Sequence, residues 1–268
     1  MEKYKLALIG SGALGSIIGE EITTKLFQDY ELIGIFSENF ENTLKLTDKL
    51  KCKAYNSLNE VINDKPDYII EAASPQVVKD MGIQILENGI NLIPLSVGAF
   101  ADKEFYNKVK QVAMENKVRV HIPSGAVGGF DVLQAAILME DGEISITTEK
   151  SPKSLNGAPF LEGRQLSKEN IEEVFSGSAK EAIKFFPKNI NVAVATALAT
   201  RGVDNTQVDI RSIPDMKSNK HKIQLVGDTV KVTVEIESIP SPNNPKSSTL
   251  AAWSVIALLK NLVSPISF

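Results

Sequence analysis

The stretch Lys5-Leu6-Ala7-Leu8-Ile9-Gly10-Ser11-Gly12-Ala13-Leu14-Gly15 decides the fold. An apolar run that ends in G-x-G-x-x-G reads as the first strand and turn of a dinucleotide-binding unit. Gly10 permits the tight turn. Gly12 lets the backbone approach a pyrophosphate that a side chain would hold off, and Gly15 lets the next helix sit close to the strand. Ala13 and Leu14 open that helix, whose N-terminus offers unpaired N–H groups and the positive end of its dipole to phosphates. Alone the pattern is weak. Here it follows a strand-like run and precedes a helix-like one, Ala13 to Phe27, which makes it specific. The competing reading is a glycine-rich turn without a ligand.

Working outward, strand-like segments at Tyr4–Ile9, Glu31–Phe36, Asp67–Glu71, Ile90–Leu95 and Val118–Ile122 alternate with helix-like ones. The helices are expected at Ala13–Phe27, Asn39–Leu50, Ser57–Asn63, Pro75–Asn88 and Asp102–Asn116. Such alternation implies a parallel sheet covered by helices on both faces, a Rossmann-type doubly wound domain over residues 1–123. The pattern changes at Ser124-Gly125-Ala126-Val127-Gly128-Gly129, which leads into an apolar helix, Phe130 to Met139. Residues 124–246 read as a second, α+β domain with a mixed, largely antiparallel sheet. Its strands are expected at Glu143–Lys150, Gln207–Ile213, Lys222–Val226 and Thr229–Glu237, the last two joined by a hairpin at Gly227-Asp228. Its helices are expected at Lys168–Phe175, Ser178–Phe185 and Asn191–Thr200. A proline-rich connector, residues 239–246, precedes a last helix, Ser247 to Leu262, expected to pack on the first domain within a segment 247–268.

Composition narrows the classes. The 268 residues are ordinary for a globular chain, 43% hydrophobic and 23% charged, and long enough for two domains. A net charge of −4 and a pI near 5.4 leave no basic footprint for nucleic acid. The single cysteine, Cys52, excludes an intrachain disulfide and fits a cytoplasmic location. The strand that begins at Tyr4 leaves no room for a signal peptide, and the longest apolar run, Thr249 to Leu259, is shorter than the roughly 18 residues of a membrane span. No membrane partner is expected.

Few residues offer chemistry. Of the two histidines, His121 ends a strand of the nucleotide domain, where ligands of open α/β sheets bind. A packed histidine is the favoured reading there. His221 follows Lys217-Ser218-Asn219-Lys220 and by position alone reads as a solvated surface residue. Asn189 and Asn191 open a helix of small residues, where capping competes with ligand contact. Glu38, Glu71, Asp131 and Asp215 form no acid pair, and no ligands cluster for a metal. What is left is a nicotinamide-cofactor enzyme in which the cofactor carries the difficult step.

Several segments together resemble the L-aspartate dehydrogenases: Gly10 to Gly15, Glu71-Ala72-Ala73-Ser74-Pro75, His121 to Asp131, Pro187-Lys188-Asn189-Ile190-Asn191-Val192-Ala193, Ser218 to Ile223, and Pro240 to Ser247. The likeness keeps its order over nearly the whole chain. It implies a homodimeric enzyme that oxidises L-aspartate with NAD or NADP to iminoaspartate. The product either hydrolyses to oxaloacetate and ammonia or feeds NAD biosynthesis, and reductive amination is the reverse. The resemblance marks His221 as catalytic, and Ala126 and Asn191, with Asn189 as the fallback, as cofactor contacts beside Gly10, Gly12, Ala13, Leu14 and Gly15. Ser37 and Glu38 stand where many such sites carry an Asp for the ribose hydroxyls, so use of both cofactors is plausible. Lys150 and Lys246 are candidates for the substrate carboxylates, with surface lysines as the other reading. The rival readings are a homoserine-dehydrogenase-like or dihydrodipicolinate-reductase-like oxidoreductase, and a non-catalytic NAD(P)-binding sensor.

Overall fold

Leu6, Ala7, Leu8 and Ile9 are buried in succession, which a strand permits only when both of its faces are covered. In the computed structural model this strand, β1 (Tyr4–Ile9), is the centre of a parallel sheet. The structure describes residues 2–187, 190–241 and 244–267, with the backbone alone at 240, 241 and 244–247. The chain divides into two compact units, Met1–Pro123 with Ala251–Phe268, and Ser124–Leu250.

In the first unit β1 is followed by α1 (Ala13–Lys25), β2 (Tyr30–Phe36), α2 (Phe40–Leu50), β3 (Lys53–Tyr55), α3 (Leu58–Asn63), β4 (Tyr68–Glu71), α4 (Pro75–Glu87), β5 (Asn91–Pro94) and α5 (Lys103–Glu115). The strands run parallel in the order β3-β2-β1-β4-β5. The winding reverses between β1 and β4, so the ligand crevice of this sheet lies beyond their carboxyl ends. Helix starts follow local chemistry: Asn39, Ser57, Ser74 and Asp102 accept backbone N–H bonds as caps, and Pro75 occupies the first turn after Ser74. Two details depart from the sequence reading. The three-residue edge strand β3 was not anticipated. The strand expected at Val118–Ile122 shrinks to one bridge, Leu92 with Val120, because Lys117 is left-handed (φ 56°) and Pro123 has no N–H to extend the ladder.

The second unit contains α6 (Phe130–Met139), β6 (Glu143–Lys150), α7 (Pro152–Leu155), β7 (Glu172–Ser178), α8 (Ala179–Phe185), α9 (Asn191–Ala199), β8 (Thr206–Ser212), β9 (Asn219–Val226), β10 (Lys231–Ser238) and a short antiparallel pair, β11 (Pro240–Ser241) and β12 (Asn244–Ser248). Its main sheet has the order β10-β9-β6-β8-β7; β6 and β8 are parallel and the other neighbours antiparallel. The β9–β10 hairpin is closed by Gly227 N–H to Val230 O at 2.9 Å and braced by the Glu140 carboxylate, which accepts from Thr229 and Val230 N–H groups. The helix expected over Lys168–Phe175 is not found. Its second half is strand, because Glu172–Ser178 pairs along β8, and cross-strand pairing outweighs the helix propensity of its Glu and Lys residues.

The last helix, α10 (Leu250–Val263), places Ala252, Val255, Ile256 and Leu259 in the core formed by Leu6, Leu8, Ile18 and Ile22. The Tyr30 hydroxyl, buried in that core, donates to Leu259 O at 2.7 Å. No helix among the described residues is long and apolar enough to cross a membrane.

Candidate active site

The glycine turn has three different geometries. Gly10 has φ +112°, and a Cβ there would lie 2.7 Å from Ala72 O. A Cβ on Gly15 would lie 2.0 Å from Gly10 O. Both glycines are therefore required by the protein's own packing. Gly12 is different: it is exposed, has φ −77°, and a Cβ on it would meet nothing within 4 Å. Gly12 is also the N-cap of α1, with Ala13 and Leu14 as its first residues and no acidic residue in its first turn. The positive helix end is thus left to a ligand. Beside it Ser11 Oγ and Ser37 Oγ are 2.8 Å apart, and Glu38 is exposed.

Glu71, at the carboxyl end of β4, was read from sequence as a scattered carboxylate. It is buried and accepts from Ala73 N–H (2.7 Å), Ser96 N–H (3.0 Å) and the Ser96 hydroxyl (2.8 Å). Burial pushes its pKa up. It ties the loops after β4 and β5 together beside the crevice.

In the second unit one sheet face is buried in rows. Val208, Ile146, Ile223 and Val234 form an apolar row; Ile210, Thr148, His221 and Ile236 form the next. Two residues further on, at the same end, come Ser212 beside Lys150 and Asn219 beside Ser238. The strand alternation that buries Ile223 and Leu225 also turns His221 inward, so the surface reading of His221 fails: it is 3% exposed. Its Nδ1 lies 3.0 Å from Thr148 Oγ1. Burial, and then the Lys150 charge, hold the imidazole down to about 3, so it is neutral at ordinary pH. Lys150 is also 3% exposed, not a surface lysine, and burial pushes its ammonium down to about 8.

Two further candidates lie on elements that pack against this sheet. The turn containing Ala126 rests on β10: a Cβ on Gly129 would be 2.8 Å from Val234 Cγ2, and one on Gly128 would be 3.9 Å from Ile236 Cδ1. Ile236 is the cross-strand partner of His221. Asn191 is the first residue of α9, but Ile190 holds the N-cap position, so capping does not account for Asn191. Helix α9 packs on β8 and reaches it through the short turn 200–205, with Arg201 Nη1 donating to Gly142 O. Its N-terminus therefore points toward the Ser212 end of β8. Asn189 lies outside the described residues, and so does the side chain of Lys246. His121 is packed: its ring is 5.9 Å from that of Tyr68, and its backbone N–H donates to Leu92 O at 2.8 Å. Among the described residues no group of three or more His, Cys, Asp or Glu is arranged to hold a metal. Thr148, Ser212, Asn219 and Ser238 were missed; their signal was a polar residue at an inward position of an alternating strand.

Comparison with known proteins bears on both units. Residues 131–262 match the family described as "Aspartate dehydrogenase, C-terminal", and residues 10–123 match "Homoserine dehydrogenase, NAD binding domain". An L-aspartate dehydrogenase of Methanosarcina barkeri is 36% identical over 266 residues, covering 98% of each chain. The crystal structure of an aspartate dehydrogenase from Thermotoga maritima superposes with a TM-score of 0.78 at 29% identity, over 100% of both chains. A hyperthermophilic archaeal homoserine dehydrogenase in complex with NADPH superposes with a TM-score of 0.61 at 16% identity, over 98% of this chain and 99% of that one, a likeness of fold alone. With relatives alike from end to end, and with a family match that covers the sheet carrying His221 and Lys150, the chain belongs to the aspartate dehydrogenase family.

Proposed function

We propose that this chain catalyses the NAD(P)-dependent oxidative deamination of L-aspartate. In the first step aspartate and NAD(P)⁺ give iminoaspartate, NAD(P)H and a proton; in the second, water converts the imine to oxaloacetate and ammonia. The observation that carries the reading is the placement of a buried His221 close to a buried Lys150 at the polar end of the second sheet, in a chain of this family.

The dinucleotide fits the first unit. The open space at Gly12 suits a pyrophosphate, and the N–H groups of Ala13 and Leu14 at the start of α1 would bind it. Gly10 and Gly15 shape that turn. Ala126 and Asn191 are the further proposed contacts, with Asn189 as the alternative. When bound, the nicotinamide supplies the hydride acceptor for the Cα hydrogen. Ser37, already bonded to Ser11, carries no charge to repel a 2′-phosphate, and Glu38 is exposed; both observations support use of NAD and NADP alike.

His221 is assigned the proton. Oxidation at Cα needs the substrate amine neutral, so the ammonium must lose a proton to a base. For Nε2 to accept it, the imidazole must keep its own proton on Nδ1 and donate it to Thr148 Oγ1, the contact seen at 3.0 Å. The imidazolium then returns a proton as water adds to the imine carbon and the amine leaves. The family resemblance further supports a cytoplasmic homodimer, reductive amination in reverse, and a role in supplying NAD biosynthesis. The test is product stoichiometry: equal amounts of reduced nicotinamide, oxaloacetate and ammonia from L-aspartate. Reduced nicotinamide without oxaloacetate, even when the imine is given time to hydrolyse, would overturn the second step.

A further inference from the structure

The row at the end of the second sheet has an unusual hydrogen-bond account. Ser212 Oγ, Asn219 Oδ1 and Ser238 Oγ are buried and have no hydrogen-bond partner. Among the described residues only one other buried side-chain oxygen shares that state, Glu21 Oε2, and it is ion-paired with Lys25 at 2.7 Å. Native folds pair nearly all buried polar atoms, because an unpaired one has lost its water and gained nothing. Three such atoms at one end of one sheet, on β8, β9 and β10 in the row of Lys150 on β6 and one step from His221, mark a place kept polar for something else.

The strand register makes the grouping physical. Ser212 pairs with Lys150 across β8 and β6, and Ser238 with Asn219 across β10 and β9. Lys150 and Asn219 each lie two residues beyond the Thr148–His221 pair on neighbouring strands. Charges on the opposite face are occupied with one another: Lys220 with Glu235 at 2.9 Å, Arg211 with Glu149 at 3.8 Å. The chemistry of the row is specific. Two hydroxyls and an ammonium donate to a carboxylate, and the amide oxygen of Asn219 accepts from an amine.

We infer that Ser212, Lys150, Asn219 and Ser238 form the substrate subsite, in which Lys150 and the two hydroxyls hold a carboxylate of a four-carbon dicarboxylate and Asn219 Oδ1 receives the amino group. The inference rests on the proposed function and gives it the residues that hold the substrate. It also bears on His221: burial is the larger cause of the lowered imidazole pKa, and pairing the Lys150 ammonium with a carboxylate relieves the smaller one, the neighbouring charge.

Two measurements test it. Succinate, a four-carbon dicarboxylate that cannot react, is titrated calorimetrically into NADH-loaded wild type and into Lys150→Met; the variant is expected to bind at least about 100-fold more weakly, with NADH affinity unchanged. Ser212→Ala and Ser238→Ala are then compared by thermal unfolding without ligand and by steady-state kinetics. Removing an unpaired buried hydroxyl should raise the unliganded Tm by about 2–4 °C, while KM for aspartate rises about tenfold. A hydroxyl that serves only the fold would do the reverse, lowering Tm and leaving KM alone. Wild type that binds succinate through Lys150 but fails to oxidise aspartate keeps the subsite and rejects the function. Wild type that oxidises aspartate while Lys150→Met binds succinate normally rejects the subsite.

Discussion

Replacing Gly12 by alanine separates what the glycine turn does for the protein from what it does for a ligand. A Cβ at Gly12 meets no atom within 4 Å, and its φ of −77° is open to any residue. The cost to the fold is then the poorer N-cap propensity of alanine, offset in part by the stiffer unfolded chain, within about 1 kcal/mol in all. That moves Tm by no more than about 4 °C. The same methyl would stand where the pyrophosphate approaches α1. Loss of two charge-assisted N–H bonds, at about 1.5–3 kcal/mol each, weakens binding by at least about 100-fold. Gly15→Ala is the control: its Cβ would sit 2.0 Å from Gly10 O, an overlap that only a shift of α1 away from β1 relieves. It should lower Tm by about 10 °C or more or prevent folding. The assays are thermal unfolding of the unliganded variants and fluorescence titration with NADH. Gly12→Ala that binds NADH like wild type, or that unfolds as early as Gly15→Ala, would refute the assignment.

Other perturbations follow from the same geometry. His221→Ala should lower turnover with aspartate by roughly 10²- to 10⁴-fold while NADH affinity is retained, and turnover near wild type would remove His221 from the mechanism. His221 has its folded pKa lowered from 6.5 to about 3, so its contribution to stability is complete above pH 6.5 and is lost as the pH falls toward 3, where the unfolded chain alone takes the proton. In urea denaturation between pH 6 and 4, about one proton's worth of slope, about 1.4 kcal/mol per pH unit, should disappear in His221→Asn, and an unchanged slope would contradict the burial argument. Tyr30→Phe removes the donor to Leu259 O and should cost about 1–3 kcal/mol in urea unfolding without changing NADH affinity; wild-type stability would show that this bond does not hold α10 to the sheet.

The parallel sheet was legible because its signals are local and repeated: a buried apolar run, a glycine turn, a capped helix. Ser74-Pro75 announces the start of α4 by chemistry alone. The failures are residues whose state is set by distant partners. Lys168–Phe175 reads locally as a helix, and its second half is strand because β8 lies beside it. Lys53–Tyr55 is too short to show a period and is a strand because β2 offers an edge. His221 shows the same effect at the candidate site. Read locally, the polar run from Lys217 belongs at the surface; read at a period of two, Asn219, His221, Ile223 and Leu225 share a face, and that face is buried. Lys150, Ser212 and Ser238 were equally visible as polar residues at the inward ends of alternating strands, but only the register shows that they come together.

The measurement closest to the central claim is the absorbance of reduced nicotinamide when purified protein is given L-aspartate with NAD, and then with NADP. L-homoserine and a dihydrodipicolinate-type imine serve as comparison substrates, the imine assayed in the direction of reduction. The account predicts aspartate-dependent reduction with both cofactors and little activity on the other two. Protein that binds NADH yet shows no aspartate-dependent signal in either direction, or that prefers homoserine or the imine, would contradict it.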